Sequence, residues 1–260
     1  VFTPKHFARY FEVKGGLLMP DDKKLYFNAS ALPAPSYEYV CWYDVMGTKS
    51  HLTQSHKKAA NFFVKIHLAA LLASQNMENV RLYPVMDGLY VTAQSQQAIL
   101  SFSHHFMMIL TNNFCAESEN KYRFLVRGSL AFGPVTHGDQ ITTTCTREMN
   151  ENYRCSLLLG MPVIQSYISE KGASPFGVFI HESARAFSPE NTSPLSGIWY
   201  RWWREEDQKQ IKDLTNCIVE YFDWSEKNSL EFEYPIDDLR RHRDIALSYF
   251  NIQSELEASK

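Results

Sequence analysis

The chain has 260 residues, of which 45% are hydrophobic and 21% charged. This composition is typical of a folded globular protein and excludes a disordered chain. A net charge of −3 argues against a dedicated nucleic-acid-binding protein, which usually carries a basic excess. No apolar run approaches the roughly 20 residues that span a bilayer, and no signal peptide is visible. We therefore expect a cytoplasmic protein that contacts neither nucleic acid nor membrane.

The five cysteines give no sign of a disulfide framework or a zinc site. Their number is odd, and no two are spaced as a C-x-x-C pair. Free thiols in a reducing compartment are the simplest interpretation.

The first half of the chain alternates strand and helix patterns. Its aromatic and β-branched runs predict strands, and apolar residues at three- and four-residue spacing predict helices. In chain order we predict a strand at 37–43, a helix at 52–74, strands at 80–86 and 89–93, a helix at 96–114 and a strand at 122–132. Asp87-Gly88 predicts a hairpin turn, and Gly133-Pro134 a turn after the last strand.

This order of elements predicts an α+β fold with a ferredoxin-like βαββαβ core. Helices cover one face of such a sheet, which leaves the other face for a ligand or a partner subunit.

The second half has weaker patterns. We predict an irregular excursion at 137–156, a helix at 157–171, a strand at 175–181, an aromatic cluster at 199–203, and helices at 205–223 and 237–259. The expected organisation is an N-terminal extension at 1–36, a catalytic domain at 37–182, and a C-terminal extension at 183–260 packed on the core.

Two acidic residues follow predicted strands of this sheet. Asp44 comes at the end of the first strand, and Asp87 at the tip of the hairpin. In a βαββαβ sheet the first strand lies beside the hairpin, so the two carboxylates can meet at one edge. Close carboxylates repel unless a cation lies between them, and oxygen ligands suit Mg²⁺ or Mn²⁺. The alternative is that both residues serve only their turns.

Three segments resemble the core motifs of class III nucleotidyl cyclases: YVCWYDVMGTKS, VRLYPVMDGLYVTA and FLVRGSLAFGPVTHG. In that family the first strand ends in an Asp followed by a Gly-containing turn, a hairpin presents a second Asp, and a later strand carries an Arg-Gly pair before a Gly-Pro turn. All three occur here in the same order, and the resemblance covers roughly residues 37–182. It implies an enzyme that closes a nucleoside triphosphate into a 3′,5′-cyclic monophosphate and releases pyrophosphate.

The resemblance also implies roles for individual residues. Asp44 and Asp87 would bind two Mg²⁺ or Mn²⁺ ions, with the backbone carbonyl of Val45 completing one shell. The backbone N–H groups of the turn would bind the β- and γ-phosphates, with added charge from a lysine; the residues concerned are Met46, Gly47, Thr48 and Lys49. A solvated position is an equally good interpretation of that lysine.

Arg127 is the third candidate catalytic residue. By the resemblance it would reach substrate phosphate from a partner subunit, since these enzymes bind substrate between paired catalytic domains. A homodimer is therefore expected. The alternative is that Arg127 forms an ion pair within the sheet, and the sequence favours neither.

The predicted helix at 157–171 departs from the purine cyclases. Ile164 falls where those enzymes carry an Asn, and Ile168 where they carry the Arg that stabilises the transition state. This altered helix is similar to that of bacterial anti-phage pyrimidine cyclases of Pycsar systems, which make cyclic CMP or cyclic UMP from CTP or UTP to activate a separate effector protein. A purine cyclase, or an inactive nucleotide-binding module with a cyclase fold, remains the alternative.

Overall fold

The computed structural model describes residues 33–141, 150–187, 195–229 and 234–251. The chain divides into two compact units, one formed by Val1–Ala34 with His137–Leu157 and the other by Pro35–Thr136 with Leu158–Lys260. In the first unit the described residues form a 3-10 turn at Gly138–Gln140 and one short helix, and the Gly138 N–H donates to the Leu157 carbonyl at 2.9 Å. All candidate site residues lie in the second unit. The domain boundaries predicted from the sequence stay predictions.

Seven strands of the described part of the chain form one mixed sheet. They are β1 Ser36–Val45, β2 Val80–Val85, β3 Gly88–Ala93, β4 Val126–His137, β5 Leu158–Gly160, β6 Val178–Ile180 and β7 Trp199–Tyr200. The helices are α1 Thr48–Gln54, α2 His56–Ala73, α3 Gln96–Ala116, α4 Glu151–Cys155, α5 Met161–Ser169, α6 Glu182–Ala186, α7 Gln208–Lys227 and α8 Ile236–Tyr249.

The first four strands have the order β2-β3-β1-β4, and each neighbouring pair is antiparallel. With the helices between them, they form the βαββαβ arrangement, so the predicted α+β fold with a ferredoxin-like core is confirmed. β6 continues the sheet parallel to β4, β7 pairs antiparallel with β6, and β5 pairs with β4.

The main core lies on one face of the sheet. Alternate residues of β1 enter it, and all are buried: Tyr39, Cys41, Tyr43 and Val45. The buried sides of α2 and α3 contribute to the same hydrophobic core. Because side chains alternate along a strand, the even-numbered residues of β1, including Asp44, lie on the opposite face.

The predicted helix at 52–74 is two helices. Ser55 has extended backbone, with φ −161° and ψ 113°, and its side chain accepts the Lys58 N–H as the N-cap of α2. Serine favours this capping position, which ends α1 after seven residues. The prediction missed this break because Leu52 and Ala59 lie seven residues apart, a spacing that also fits one continuous helix.

The turn predicted at Gly133-Pro134 was wrong, because β4 runs on through both residues to His137. Glu38 and Tyr37 of β1 are their register partners, which keeps this stretch in the sheet. The start of the predicted helix at 157–171 was also wrong, since Leu158–Gly160 is a strand beside β4.

The other predicted strands and helices appear with shifted ends, whereas the described part of the predicted irregular segment at 137–156 includes the helix α4. The aromatic cluster at 199–203 comprises β7 and the start of a 3-10 turn at Trp202–Glu205, in which Trp202 and Trp203 are buried. The last part of the predicted helix at 237–259 lies outside the described residues. No helix in the described ranges is both long and apolar enough to cross a membrane. Cysteines 41, 115, 155 and 217 carry free thiols.

Candidate active site

Asp44 lies near the end of β1, between two neighbouring strands. Its register partner on β3 is Gly88, and its partner on β4 is Arg127. Paired strands lie roughly 4.8 Å apart, so groups on three strands meet around this one carboxylate. Asp44 is partly buried, on the sheet face opposite the main core.

Asp87 reaches the same edge from the β2–β3 hairpin. Val85 pairs with Gly88, so the two turn residues are Met86 and Asp87. The sequence placed this turn one residue later, at Asp87-Gly88. Gly88 belongs to β3 instead, where an added Cβ would lie 2.4 Å from the Tyr43 carbonyl oxygen and 2.6 Å from the Trp42 ring. The glycine permits the close strand approach that brings the two carboxylates together.

The hairpin is held in an unusual backbone conformation. Met86 has φ 52°, which is uncommon for a residue other than glycine. Its carbonyl oxygen lies 3.3 Å from Nε2 of His67 on α2. This contact ties the turn that carries Asp87 to the helix behind it.

Burial and neighbouring negative charges both disfavour ionisation of Asp44. Its pKa is raised to about 7, first by burial, then by the negative charges of Asp87 and Glu170. Arg127 and a hydrogen bond from the backbone at Val45 oppose this shift. Asp87 is therefore close enough to disfavour ionisation of Asp44, which is the arrangement that a bound cation relieves.

Arg127 forms a buried ion pair with Glu170. Its Nε lies 3.0 Å from Oε2 and its Nη2 2.9 Å from Oε1, a bidentate geometry. The two side chains are 15% and 8% exposed. The sequence left two roles open for Arg127, and the structure shows one of them, the ion pair. Its catalytic role stays a prediction.

The turn after β1 contains the residues that the sequence predicts to bind phosphate. Gly47 has φ 77°, the left-handed conformation that favours glycine, and Thr48 Oγ1 donates to the Val45 carbonyl at 3.0 Å. The Met46 N–H donates to the Leu125 carbonyl at 2.8 Å. The prediction that this amide binds phosphate is therefore corrected, since a bond within the protein already uses it. Lys49 is exposed at the start of α1.

Helix α5 lies against the sheet face that carries Asp44. Tyr167 makes an edge contact with Trp42, with ring centroids 5.7 Å apart. The two positions that distinguish this helix from purine cyclases face outward, because Ile164 is 52% and Ile168 64% exposed. The sheet face that the prediction left free is thus partly covered by a helix with an apolar outer side.

Sequence reasoning missed three residues around the site. Glu170 follows α5 directly, whereas Tyr234 and His242 come from the C-terminal extension and are hydrogen-bonded to each other. Burial has the largest effect on the pKa of Tyr234 and of His242, and the charge of Arg127 also lowers both values, so the two residues lie near Arg127. Only the Glu170-Lys171 pair at the end of the predicted helix could have drawn attention to Glu170. Nothing in the sequence pattern connected the last third of the chain with the first strand.

The donor set around Asp44 is chemically suited to a hard divalent cation. It has carboxylates on Asp44 and Asp87 and the Val45 carbonyl, all oxygen ligands. Among the described residues, no group of three or more His, Cys, Asp and Glu side chains is arranged to hold a metal ion. A cation here would complete its shell with water and other oxygen ligands, as Mg²⁺ commonly does.

No protein-family model and no curated protein matches this chain. Solved structures are similar to it at low identity. The guanylyl cyclase domain of the RhoGC fusion protein from the aquatic fungus Blastocladiella emersonii has 13% identity and a TM-score of 0.46, covering 59% of this chain and 85% of that one. The guanylate cyclase domain of RhGC from Catenaria anguillulae, in complex with GTP, has 14% identity and a TM-score of 0.45, covering 59% and 82%. A monomeric adenylate cyclase from Trypanosoma brucei has 11% identity and a TM-score of 0.45, covering 60% and 78%.

Proposed function

We propose that this protein is a metal-dependent nucleotidyl cyclase. It converts a nucleoside triphosphate into the 3′,5′-cyclic monophosphate and pyrophosphate. The observation that carries the proposal is the position of Asp44 and Asp87 at one sheet edge, where burial first and the charge of Asp87 second raise the pKa of Asp44 to about 7. A partly buried carboxyl group that lies beside a second carboxylate favours a site that binds cations over a pair of ordinary turn residues.

The reaction forms a bond between the ribose 3′-oxygen and the α-phosphorus and breaks the bond from that phosphorus to the bridging oxygen of pyrophosphate. Asp44, Asp87 and the Val45 carbonyl would hold two Mg²⁺ or Mn²⁺ ions. When bound, such ions lower the pKa of the attacking hydroxyl and neutralise charge on the departing pyrophosphate. The protein's own contribution is to position the substrate and to supply fixed charges.

Phosphate binding is assigned to the β1–α1 turn. Gly47 and Thr48 present backbone N–H groups there, and Lys49 adds a positive charge at its exposed edge. Arg127 shares the site with Asp44 through their paired register positions. Its bidentate bond to Glu170 favours a fixed positive charge beside the reacting groups over a side chain that reaches into a partner subunit.

CTP or UTP is the proposed substrate, and the proposed role is second-messenger production in bacterial anti-phage defence, sensed by a separate effector protein. This part of the proposal rests on the resemblance of α5 to the pyrimidine cyclases. Ile164 and Ile168 have no polar group with which to stabilise a transition state, and both are exposed. A purine cyclase of the usual kind would need polar side chains at these positions.

A homodimer in the cytoplasm is the proposed state. Three apolar side chains on the outer side of α5 support an interface there: Met161, Ile164 and Ile168 are 58%, 52% and 64% exposed. Their spacing of three and four residues places them in one row along the helix. Exposed apolar rows of this kind often mark protein contacts.

The second candidate function is a nucleotide-binding module that lacks catalysis. The loss of polar residues at 164 and 168 favours it, as does the engagement of Arg127 by Glu170. This module would bind a triphosphate with a metal ion and release no pyrophosphate.

One experiment separates these functions. The purified protein is incubated with ATP, GTP, CTP or UTP and Mn²⁺, and the products are identified by mass spectrometry. A cyclase gives a cyclic monophosphate from at least one nucleotide, and Asp44→Asn abolishes it. No product from any nucleotide, together with metal-dependent triphosphate binding, would instead establish the inactive module.

A further inference from the structure

We infer that the outer side of α2 binds the same side of α2 in a second copy of this chain, with the two helices antiparallel. This surface lies across the sheet from α5, because α2 packs on the core side and α5 on the side of Asp44. The inference therefore goes beyond the proposed function and adds a surface of self-association that is separate from the apolar row on α5.

Helix α2 is apolar on both its inner and its outer side. The buried residues of the inner side are Ala59, Phe62, Ile66, Ala69, Ala70 and Ala73. The outer side carries large apolar side chains that are 42–58% exposed, namely Phe63, Val64, Leu68, Leu71 and Leu72. A helix that is hydrophobic all round is normally buried, so the outer side of α2 calls for a partner that covers it.

The two ionisable side chains between Ala60 and Ala73 already have contacts within the chain. Lys65 Nζ lies 3.3 Å from Oε2 of Glu117 on α3. His67 Nε2 lies 3.3 Å from the Met86 carbonyl oxygen, and the His67 ring makes an edge contact with Phe63 at a centroid distance of 4.5 Å. The outer side of α2 is therefore an apolar surface that a charged ligand has little reason to bind.

The extent of this surface favours a folded partner over a small ligand. Met86, in the hairpin turn that His67 contacts, is 77% exposed and adds to it. With most of these side chains about half exposed, the surface is on the order of several hundred Å², which approaches the roughly 800 Å² that each partner contributes to a standard interface.

The charges at the two ends of α2 favour an antiparallel helix as the partner. Its first turn carries Lys57 and Lys58 and no acidic residue, and Glu78 follows its C-terminal end. A helix N-terminus disfavours positive charge and a C-terminus disfavours negative charge, so this arrangement is unfavourable within one chain. In an antiparallel pair each lysine lies near the C-terminal end of the other helix and near the Glu78 that follows it, which makes the same charges favourable.

A second copy of the chain meets these requirements with one surface. Antiparallel packing of the same helix from two copies is a two-fold symmetric contact, the commonest kind in homo-oligomers. Val64, Leu68 and Leu71 are spaced by four and three residues, the spacing of a seam along which two helices pack. The apolar seam and the end charges thus point to the same partner.

Sedimentation equilibrium of the full chain at several concentrations tests the inference. Leu68→Lys places a charge in the middle of the outer side and should weaken self-association about tenfold or more, because two lysines would be buried at the contact. Leu247→Lys makes the same change at a 38% exposed position of α8 and should leave association unchanged. Circular dichroism should show that both variants are folded, since both positions are exposed.

Charge reversal tests the antiparallel arrangement. Lys57→Glu favours the start of its own helix but should weaken association, because it brings a negative charge to the C-terminal end of the other copy. Glu78→Lys should weaken association in the same way. The double variant, with both substitutions, should recover part of the loss because opposite charges face each other again.

A wild-type protein that stays monomeric, or that associates equally well as Leu68→Lys, would overturn the inference, and the outer side of α2 would then be covered by another segment or another protein. Weaker association in the double charge variant than in either single variant would refute the antiparallel arrangement. These outcomes do not depend on whether the protein makes a cyclic nucleotide, so the inference and the proposed function can fail separately.

Discussion

Asp44 on β1 and Arg127 on β4 are direct register partners, so strand pairing places a carboxyl group beside a guanidinium group. The guanidinium opposes the rise in the Asp44 pKa, but burial and the charges of Asp87 and Glu170 outweigh it. Glu170 has a double effect, because it binds Arg127 through both carboxylate oxygens and adds negative charge near Asp44. The site is thereby organised around one carboxylate that needs further positive charge.

Removing the charge of Asp87 should lower the pKa of Asp44. In metal-free Asp87→Asn, the Asp44 carboxyl should titrate below its wild-type value of about 7, because one of the two named repulsive charges is gone. Carbon-13 NMR of labelled aspartate measures this titration directly. The same variant should keep its melting temperature while losing turnover. An unchanged Asp44 titration would mean that the two carboxylates do not interact.

Breaking the buried ion pair should destabilise the fold. Glu170→Ala leaves the Arg127 guanidinium, 15% exposed, without its bidentate partner. Loss of one member of such a pair typically costs about 3–5 kcal/mol of unfolding free energy. Chemical denaturation measures the change. The control is Glu226→Ala, whose partner Arg240 is 64% exposed and for which a loss of about 1 kcal/mol or less is expected.

The close approach of β1 and β4 should not tolerate a side chain at Gly128. An added Cβ there would lie 2.5 Å from the Tyr43 ring and 2.9 Å from the Trp42 carbonyl oxygen. Gly128→Ala should lower the unfolding free energy by about 1–3 kcal/mol, the usual cost of overpacking. Gly197→Ala provides the comparison, since its nearest neighbour would be 3.8 Å away. Equal stability of the two variants would show that β1 and β4 do not approach each other so closely at Gly128.

Buried histidines should make the fold sensitive to acid. The pKa of His242 is lowered to about 4, first by burial and then by Arg127 and Arg241, with Asp238 opposing; Tyr234 is its hydrogen-bond partner. Because the folded pKa lies below the unfolded value of about 6.5, this stability is complete above pH 6.5. It is lost as the pH falls towards 4.

Each such histidine contributes a slope of about 1.4 kcal/mol per pH unit in that window. His51, whose pKa is also lowered to about 4, adds a second contribution. His242→Asn should therefore show a shallower loss of stability than the wild type when denaturation is repeated at several pH values between 6.5 and 4. The same slope in both proteins would show that His242 is not buried in its neutral form.

The sequence predicted the order of the core elements because each of those strands and helices has a clear apolar period. The sequence also predicted that Asp44 and Asp87 lie at one edge of the sheet, because the βαββαβ topology requires β1 to lie beside the hairpin. It failed where a local preference competed with pairing, as at Gly88, which is typical of a turn but is needed in β3 for close packing.

Contacts between residues that are distant in the chain could not be predicted from the sequence, for a different reason. The ion pair between Arg127 and Glu170 joins residues 43 positions apart. A cavity is likewise lined by residues of the β1–α1 turn, of α7 and of the segment before α8. No periodicity or spacing encodes such encounters, because they depend on how whole elements pack. The hydrogen bond from the Met46 N–H to the Leu125 carbonyl is another contact of this kind.

The most direct test of the central claim is a Mn²⁺ titration followed by electron paramagnetic resonance, in the presence of a non-hydrolysable nucleoside triphosphate. If Asp44 and Asp87 share cations, the wild-type protein binds two Mn²⁺ ions per chain. Asp44→Asn and Asp87→Asn should each lose this binding while remaining folded. Equal Mn²⁺ binding by the wild type and both variants would contradict the account.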